Sequence, residues 1–384
     1  LPGQPLEQNS QVSAGVQVTA TRRTGAGRLH YGVDLEVAEG RLEEFQADAT
    51  TGLPPPVAAT RPQGLHYDYS VRAGSMAPWL HWEQDLGADW SLGLGLRAER
   101  LAYDYDNRML AGNTRDDGTE CPGGCLYTRP ADRSDAFFNL APKFSLGWRV
   151  APGQLGWLAV RQGFRAPQAT ELYRLQSGQS VAELDSETLD SVELGWRGYR
   201  AGFAWELVGY FMEKRNYIFR DGDGFNVSDG RTRHEGIELS LRWEILPGLS
   251  VATDQSYARH TWRFDRDAGR GEIIVAGNET DAAPRRFGST RLAWDGAGRW
   301  GAELEWINMG AYWLNAANTA RYSGHDLLHL RLRRTLTPRL EAAVRVHNLT
   351  DRAYAERADF AFGQYRYFPG RERTLFVELA WRGG

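Results

Sequence analysis

Apolar and polar residues alternate along this chain in long runs, and the polar positions repeatedly carry full charges. Trp90, Leu92, Leu94, Leu96 and Ala98 alternate with Ser91, Gly93, Gly95, Arg97 and Glu99. Val12 to Ala20, Tyr31 to Val37, Ile237 to Trp243, Trp300 to Trp306 and Leu375 to Trp381 repeat the pattern. A period of two puts successive side chains on opposite faces of a strand, and the 3.6 period of helices is nearly absent. At about 3.3 Å per residue, a run of about ten residues spans roughly 30 Å, longer than a typical soluble strand. It is also the length a tilted strand needs to cross a bilayer. The charged face must meet water, whereas the other face carries Trp and Leu at its ends and small or aliphatic residues between. That is the pattern of a lipid-facing band with aromatic girdles. The expected fold is all-β, an antiparallel transmembrane β-barrel, because closure leaves no backbone donor unpaired in lipid.

Composition first points the other way, with 24% charged residues and a net charge of −4 over 384 residues. Sorted by strand parity, those charges belong to the half of each strand that faces water. No stretch approaches the roughly 18 apolar residues of a membrane-spanning helix, which excludes a helical membrane protein. The small net charge gives no footprint for nucleic acid and no polybasic surface for anionic lipid. Of the 45 basic residues only Lys143 and Lys214 are lysine. This arginine bias fits a GC-rich genome, and it also fits a polar cavity that grips anions by fork-shaped donors.

The connections alternate in length. Residues 87–89, 151–153, 246–248, 295–298 and 335–338 form short turns. Residues 40–75, 104–134, 165–186, 216–232, 264–283 and 351–366 form long polar loops. Short turns on one rim and long loops on the other are the asymmetry of bacterial outer-membrane barrels. A propeller would instead show a repeat of about 40 to 45 residues, and none is visible. With no linker, residues 1–384 read as one barrel domain of about 15 strands, a count taken from the period-2 runs. An odd count places the two ends on opposite rims, so strands are expected to be missing at the N-terminal side. The start Leu1-Pro2-Gly3 shows no export signal.

Several segments resemble the C-terminal barrel of TonB-dependent outer-membrane receptors. They are Gly163-Phe164-Arg165-Ala166-Pro167 with Glu171-Leu172-Tyr173, Leu184 to Gly195 ending Val192-Glu193-Leu194-Gly195, and Glu235-Gly236-Ile237-Glu238-Leu239. Ala283-Pro284-Arg285, Asn348-Leu349-Thr350-Asp351-Arg352-Ala353-Tyr354 and Tyr367-Phe368-Pro369-Gly370-Arg371 follow in family order. The resemblance implies a barrel of 22 strands around a plug, of which this chain would carry strands 8 to 22 without the plug or its TonB-contacting segment. It further implies an outer-membrane, Gram-negative location, a monomer, no enzymatic activity and no cofactor. TonB would be the partner and a ferric siderophore or similar metal chelate the ligand. Haem or cobalamin uptake by the same family, or a passive porin, is the alternative. Haem receptors carry an axial His between two motifs, and residues 168–184 contain none. The family usually ends in an aromatic residue. Here Trp381 is in phase, but the terminal site is Gly383.

Pro167 and Pro284 are expected at strand ends, where a missing N–H does no harm, and Asn348 to Asp351 as turn caps. Aromatic faces beside arginine donors suit a large anionic chelate. The candidate ligand residues are Arg165, Tyr173, Arg174, Tyr312, Trp313, Arg321, Tyr322, Arg352 and Arg357. Cys121-Pro122-Gly123-Gly124-Cys125 permits a tight reversal, and a loop-stapling disulfide is expected at an oxidising surface, the competing reading being a metal or redox pair. No metal site is expected: His325 and His329 would stand about 13 Å apart on one strand face. Asp221 to Asn226 departs from a calcium loop and reads as a hairpin turn.

Overall fold

The computed structural model describes residues 5–176, 178–269, 272–296 and 299–382. The start Leu1-Pro2-Gly3 and the terminal Gly383 and Gly384 lie outside them. Fifteen long strands run β1 Leu6–Thr24, β2 Gly27–Gln46, β3 Gly64–Leu86, β4 Trp90–Asn107 and β5 Arg133–Ala151. The sequence continues through β6 Gln154–Arg165, β7 Glu187–Arg200, β8 Phe203–Arg220, β9 Asn226–Leu246 and β10 Leu249–Trp262. It ends with β11 Arg286–Asp295, β12 Trp300–Met309, β13 His325–Thr337, β14 Leu340–His347 and β15 Thr374–Trp381. All fifteen form one sheet in which each strand pairs with its neighbours in sequence, every ladder antiparallel. No ladder joins β1 to β15 among the described residues, so the sheet has two edges.

The two rims differ as the connections predict. Residues 25–26, 87–89, 152–153, 201–202, 247–248 and 338–339, with 296 and 299, turn at one rim, and the other rim carries the described residues of 47–63, 108–132, 166–186, 263–285, 310–324 and 348–373. Three expectations change. The 40–75 loop shrinks to residues 47–63, because the β2–β3 ladder continues to Gln46↔Gly64. The 216–232 loop shrinks to residues 221–225, because the β8–β9 ladder continues to Arg220↔Asn226. The 310–324 loop carries no turn-rich signature and escapes the sequence reading. Strands reach 23 residues in β3, about 75 Å at 3.3 Å per residue, far more than a tilted crossing needs. The excess runs into the long-loop rim, where loops bury residues on both faces of β3, among them His66, Tyr67, Tyr69 and Ser70. There the apolar alternation fades while backbone hydrogen bonds still hold the ladder.

The outward face is apolar and exposed, with Leu94, Leu96, Leu194, Leu292, Leu304, Leu332, Val344 and Val377 along it. Exposed Trp90, Trp148, Trp196, Trp243, Trp294, Trp300 and Trp381 gather near the short turns. Trp90 and Trp148 are register partners with rings stacked at 5.6 Å. This is the pattern of an aromatic belt at a lipid–water boundary. The opposite face carries ion pairs such as Arg161–Glu193 at 2.9 Å and Arg291–Glu305 at 3.0 Å.

Some family-like motifs prove to be packing devices. A Cβ at Gly195 would sit 2.0 Å from the Trp157 ring, and one at Gly370 would sit 2.1 Å from the Tyr354 ring. Two motifs far apart in sequence therefore interlock, Tyr354 of one lying over Gly370 of the other. Asn348 is 1% exposed in left-handed backbone at φ 51°. Its Nδ2 donates to the carbonyls of Arg352 at 2.9 Å and Arg371 at 3.1 Å, and its Oδ1 accepts from the Arg352 N–H at 2.8 Å. Asp351 accepts the Arg373 N–H at 2.9 Å. The expected turn caps are in place.

The buried apolar residues collect at the long-loop rim in three clusters. A sheet wall whose two faces meet lipid and water has no interior of its own. The loops make one, and they position every candidate residue.

Candidate functional site

The first rim cluster is built by β3, β4 and the loops after β4 and β6. The side chains of Tyr67, Tyr69 and Tyr105 project from the sheet and meet Tyr127, Leu172, Tyr173, Leu175 and the cysteine pair. Cys121 and Cys125 are disulfide-bonded with Cα atoms 5.1 Å apart. Tyr173 lies in the short helix α1, Ala169–Tyr173, and is 0% exposed. Its ring stacks on Tyr105 at 4.3 Å, and its hydroxyl donates to Asp135 at 2.8 Å. Burial, and then this carboxylate, push the Tyr173 hydroxyl pKa up. Tyr173 is therefore a loop anchor and not a surface for ligand, a correction to the expectation from sequence.

Arg165 is also spent on the scaffold, since its guanidinium bridges Glu171 at 2.9 Å and Glu187 at 2.9 Å. It ties the end of β6 to the start of β7 across a 21-residue loop whose helix is capped by Glu171 accepting the Gln168 N–H at 2.7 Å. Arg174 pairs with Glu7 at 2.8 Å and with Glu44, and lies 5.9 Å from the Tyr67 ring centre. Glu44 in turn meets His66 Nδ1 at 3.0 Å. Among the described residues these three predicted cations and aromatics fold loops together.

The second cluster gathers Tyr312, Leu314, Ala320, Tyr322, Ala355 and Ala358. Hairpin Tyr312–Trp313/Arg321–Tyr322 and hairpin Ala355–Ala361/Gln364–Pro369 stand side by side, joined by the Tyr322 and Tyr367 rings at 6.3 Å. Tyr312 and Tyr322 are buried, and the Tyr322 hydroxyl meets His325 Nδ1 at 2.9 Å. The accessible members are different. Exposed Arg321 lies 5.4 Å from the Trp313 ring centre and has no carboxylate partner among the described residues. Arg352 is likewise exposed without one, while exposed Arg357 pairs with Asp359 at 3.0 Å and covers Phe368 at 5.2 Å.

The sequence reading missed two things here. Phe362, 85% exposed, and Tyr365, Tyr367 and Phe368 put an aromatic surface on the outer hairpin. The interleaving of Tyr365, Arg366, Tyr367 and Phe368 was its signal. The second is Arg129, 1% exposed in the first cluster. It donates to Leu110 O at 2.7 Å, His66 O at 3.1 Å, Thr114 O at 2.8 Å, Thr114 Oγ1 at 3.0 Å and Arg115 O at 3.1 Å. Nothing local in the sequence separates it from the other arginines.

No group of three or more His, Cys, Asp or Glu side chains suits a metal ion among the described residues. His325 and His329 serve Tyr322 and the Asn348 N–H, at 2.9 and 3.0 Å. Asp221 accepts the N–H groups of Asp223 at 3.1 Å and Phe225 at 3.0 Å, as a hairpin turn requires.

A one-sheet antiparallel wall with a lipid-type outer face, short turns at one rim and folded loops at the other is the architecture of an outer-membrane receptor or transporter. The chain belongs to the TonB-dependent receptors: the family described as "TonB dependent receptor-like, beta-barrel" matches residues 4–349. The ferric-pyoverdine 358 receptor of Pseudomonas putida is 27% identical over 270 residues, covering 60% of this chain and 31% of that protein. The ferric yersiniabactin uptake receptor FyuA from Yersinia pestis superposes with a TM-score of 0.73 at 16% identity, over 98% of this chain and 54% of that one. The unliganded ferric citrate transporter FecA gives 0.73 at 17%, over 98% and 55%. The chain thus spans about half the length of these structures and less of the curated relative. The family resides in the outer membrane of Gram-negative bacteria.

Proposed function

We propose that this chain is the ligand-capturing wall of an outer-membrane receptor that takes up a ferric siderophore or similar anionic metal chelate by TonB-coupled transport. The observation that carries the reading is the second rim cluster. There Trp313, Tyr365, Tyr367 and Phe368 offer aromatic faces on two neighbouring hairpins, Arg321 lies over Trp313, and Arg321 and the exposed Arg352 have no carboxylate partner among the described residues. The unneutralised guanidinium of Arg321 over the Trp313 ring suits a large ligand that is both flat and anionic. The relatives' names, which include ferric pyoverdine and ferric citrate, support the same class. Arg165, Tyr173 and Arg174 hold the rim in shape in this reading, and Arg357 buttresses the outer hairpin.

The test is binding and uptake by the protein in its membrane. Ferric pyoverdine, ferric citrate, haem and cobalamin are titrated against tryptophan fluorescence in detergent micelles, and iron uptake is followed in cells with and without TonB. One ferric chelate should bind, the pair Trp313→Ala and Arg321→Ala should weaken it at least tenfold, and uptake should vanish without TonB. Haem or cobalamin binding alone, or uptake indifferent to TonB, overturns the reading.

A further inference from the structure

Six of the eight histidines stand in three cross-strand pairs: His30 with His81, His234 with His260, and His329 with His347. Two of the pairs are direct register partners, and the third flanks the Leu330↔Val346 rung. Parity puts all six on the water-facing side, since exposed Leu80, Ile237 and Leu332 lie on the other face of their strands.

The pairs differ in what their ring nitrogens do. His30 Nδ1 meets Thr21 at 3.0 Å, His81 Nε2 meets Glu83 at 3.2 Å, and His329 Nδ1 accepts the Asn348 N–H. His234 and His260 instead aim Nδ1 at Nδ1, 2.8 Å apart. Two nitrogens bound cis at about 2.0 Å from one ion would be separated by about 2.8 Å. The hydrogen-bonded pair thus has the separation of two cis ligands, and a small rotation of the rings turns both nitrogens toward one ion. Thr232, itself buried, holds His234 Nε2 at 2.9 Å. With that nitrogen donating, the Nδ1 lone pair accepts the His260 Nδ1–H, and the hydrogen bond to Thr232 is the outer-sphere kind that orients metal-binding imidazoles. A single tautomer shift, moving the His260 proton from Nδ1 to Nε2, frees both lone pairs with no change of charge.

The rung continues. Met212 on β8 is the register partner of His234, which is the partner of His260. Partners across antiparallel strands project to the same face. One rung therefore presents a thioether and two imidazoles to the water side, on a chain with only four methionines. The neighbouring Lys214 is neutralised by Glu187 at 3.1 Å, and Glu279 is occupied by Arg285.

We infer that Met212, His234 and His260 form a binding site for a single copper ion on the water-facing wall, apart from the loop clusters and independent of the chelate reading. Thioether and imidazole donors select a soft to borderline ion, and copper stands highest in the divalent affinity order.

The test titrates copper(II) sulfate into metal-stripped receptor in detergent micelles against glycine as competitor, with electron paramagnetic resonance as the second readout. Wild type should bind one equivalent and show coupling to two nitrogens. His234→Gln and His260→Gln should each lose at least tenfold in affinity, and Met212→Leu should weaken binding less. His30→Gln should match wild type. Should a variant fail to fold, the nitrogen coupling of the wild type still decides. Binding unchanged in the His234→Gln/His260→Gln double variant, or a copper spectrum without two coupled nitrogens, overturns the inference.

Discussion

Replacing Asn348 tests whether the loop before the last strand is held by one buried amide. Asn348→Ala removes three side-chain hydrogen bonds, to the Arg352 and Arg371 carbonyls and from the Arg352 N–H. At about 1 kcal/mol each, their loss costs about 3 kcal/mol. The backbone at φ 51° adds about 1 kcal/mol, because alanine has no local bond to offset left-handed strain. The sum is about 4 kcal/mol, or about a thousandfold in a local opening equilibrium. Asn348→Gly escapes the strain and should cost about 3 kcal/mol. The readout is hydrogen exchange of the receptor in micelles at the amides of Arg373 and Gly370. These donate to Asp351 at 2.9 Å and to the Tyr354 carbonyl at 2.9 Å and do not touch Asn348. Exchange should speed up about a thousandfold in the alanine variant and several-fold less in the glycine variant. A change under tenfold at both amides refutes the account, and equal rates in the two variants refute the strain component.

Other outcomes follow from the same structure. Arg129→Met should destabilise the loop of residues 108–132 by several kcal/mol, because five acceptors around a buried guanidinium lose their donors. Limited proteolysis should then cut that loop first. Gly195→Ala should cost about 1 to 3 kcal/mol by overpacking against Trp157, read from the urea midpoint, with a Trp157→Leu second change recovering most of it. The Cys121→Ser/Cys125→Ser pair frees a closed loop of about five residues, for which chain entropy gives about 2 kcal/mol. Loop exchange rates should rise while the barrel midpoint stays put.

The architecture was open to reading because lipid on one side and water on the other impose a period of two that nothing else in the chain obscures. The runs at Trp90 to Ala98 and Leu375 to Trp381 fall inside β4 and β15, and the strand count of fifteen stands. Reading failed where that contrast ends. At the rim end of β8, Tyr217, Ile218 and Phe219 follow one another and pack against the loop clusters, so the ladder to Arg220 breaks the alternation instead of extending it. The rim clusters failed differently. Arg165, Tyr173 and Arg321 look alike as candidates, yet long-range contacts decide that the first bridges two carboxylates, the second is buried and the third stays open. Side-chain type indicates chemistry, while accessibility depends on partners as far away as Glu7 is from Arg174.

The buried guanidinium of Arg129 has a consequence for how the outer loops can change over generations. Its five acceptors are backbone oxygens and one hydroxyl, so the shape it imposes depends hardly at all on neighbouring side chains. Glu120 at the exposed tip can then be exchanged without altering the path of the chain beneath it. A surface can vary its identity to whatever inspects it while its form persists, provided one arginine does not mutate.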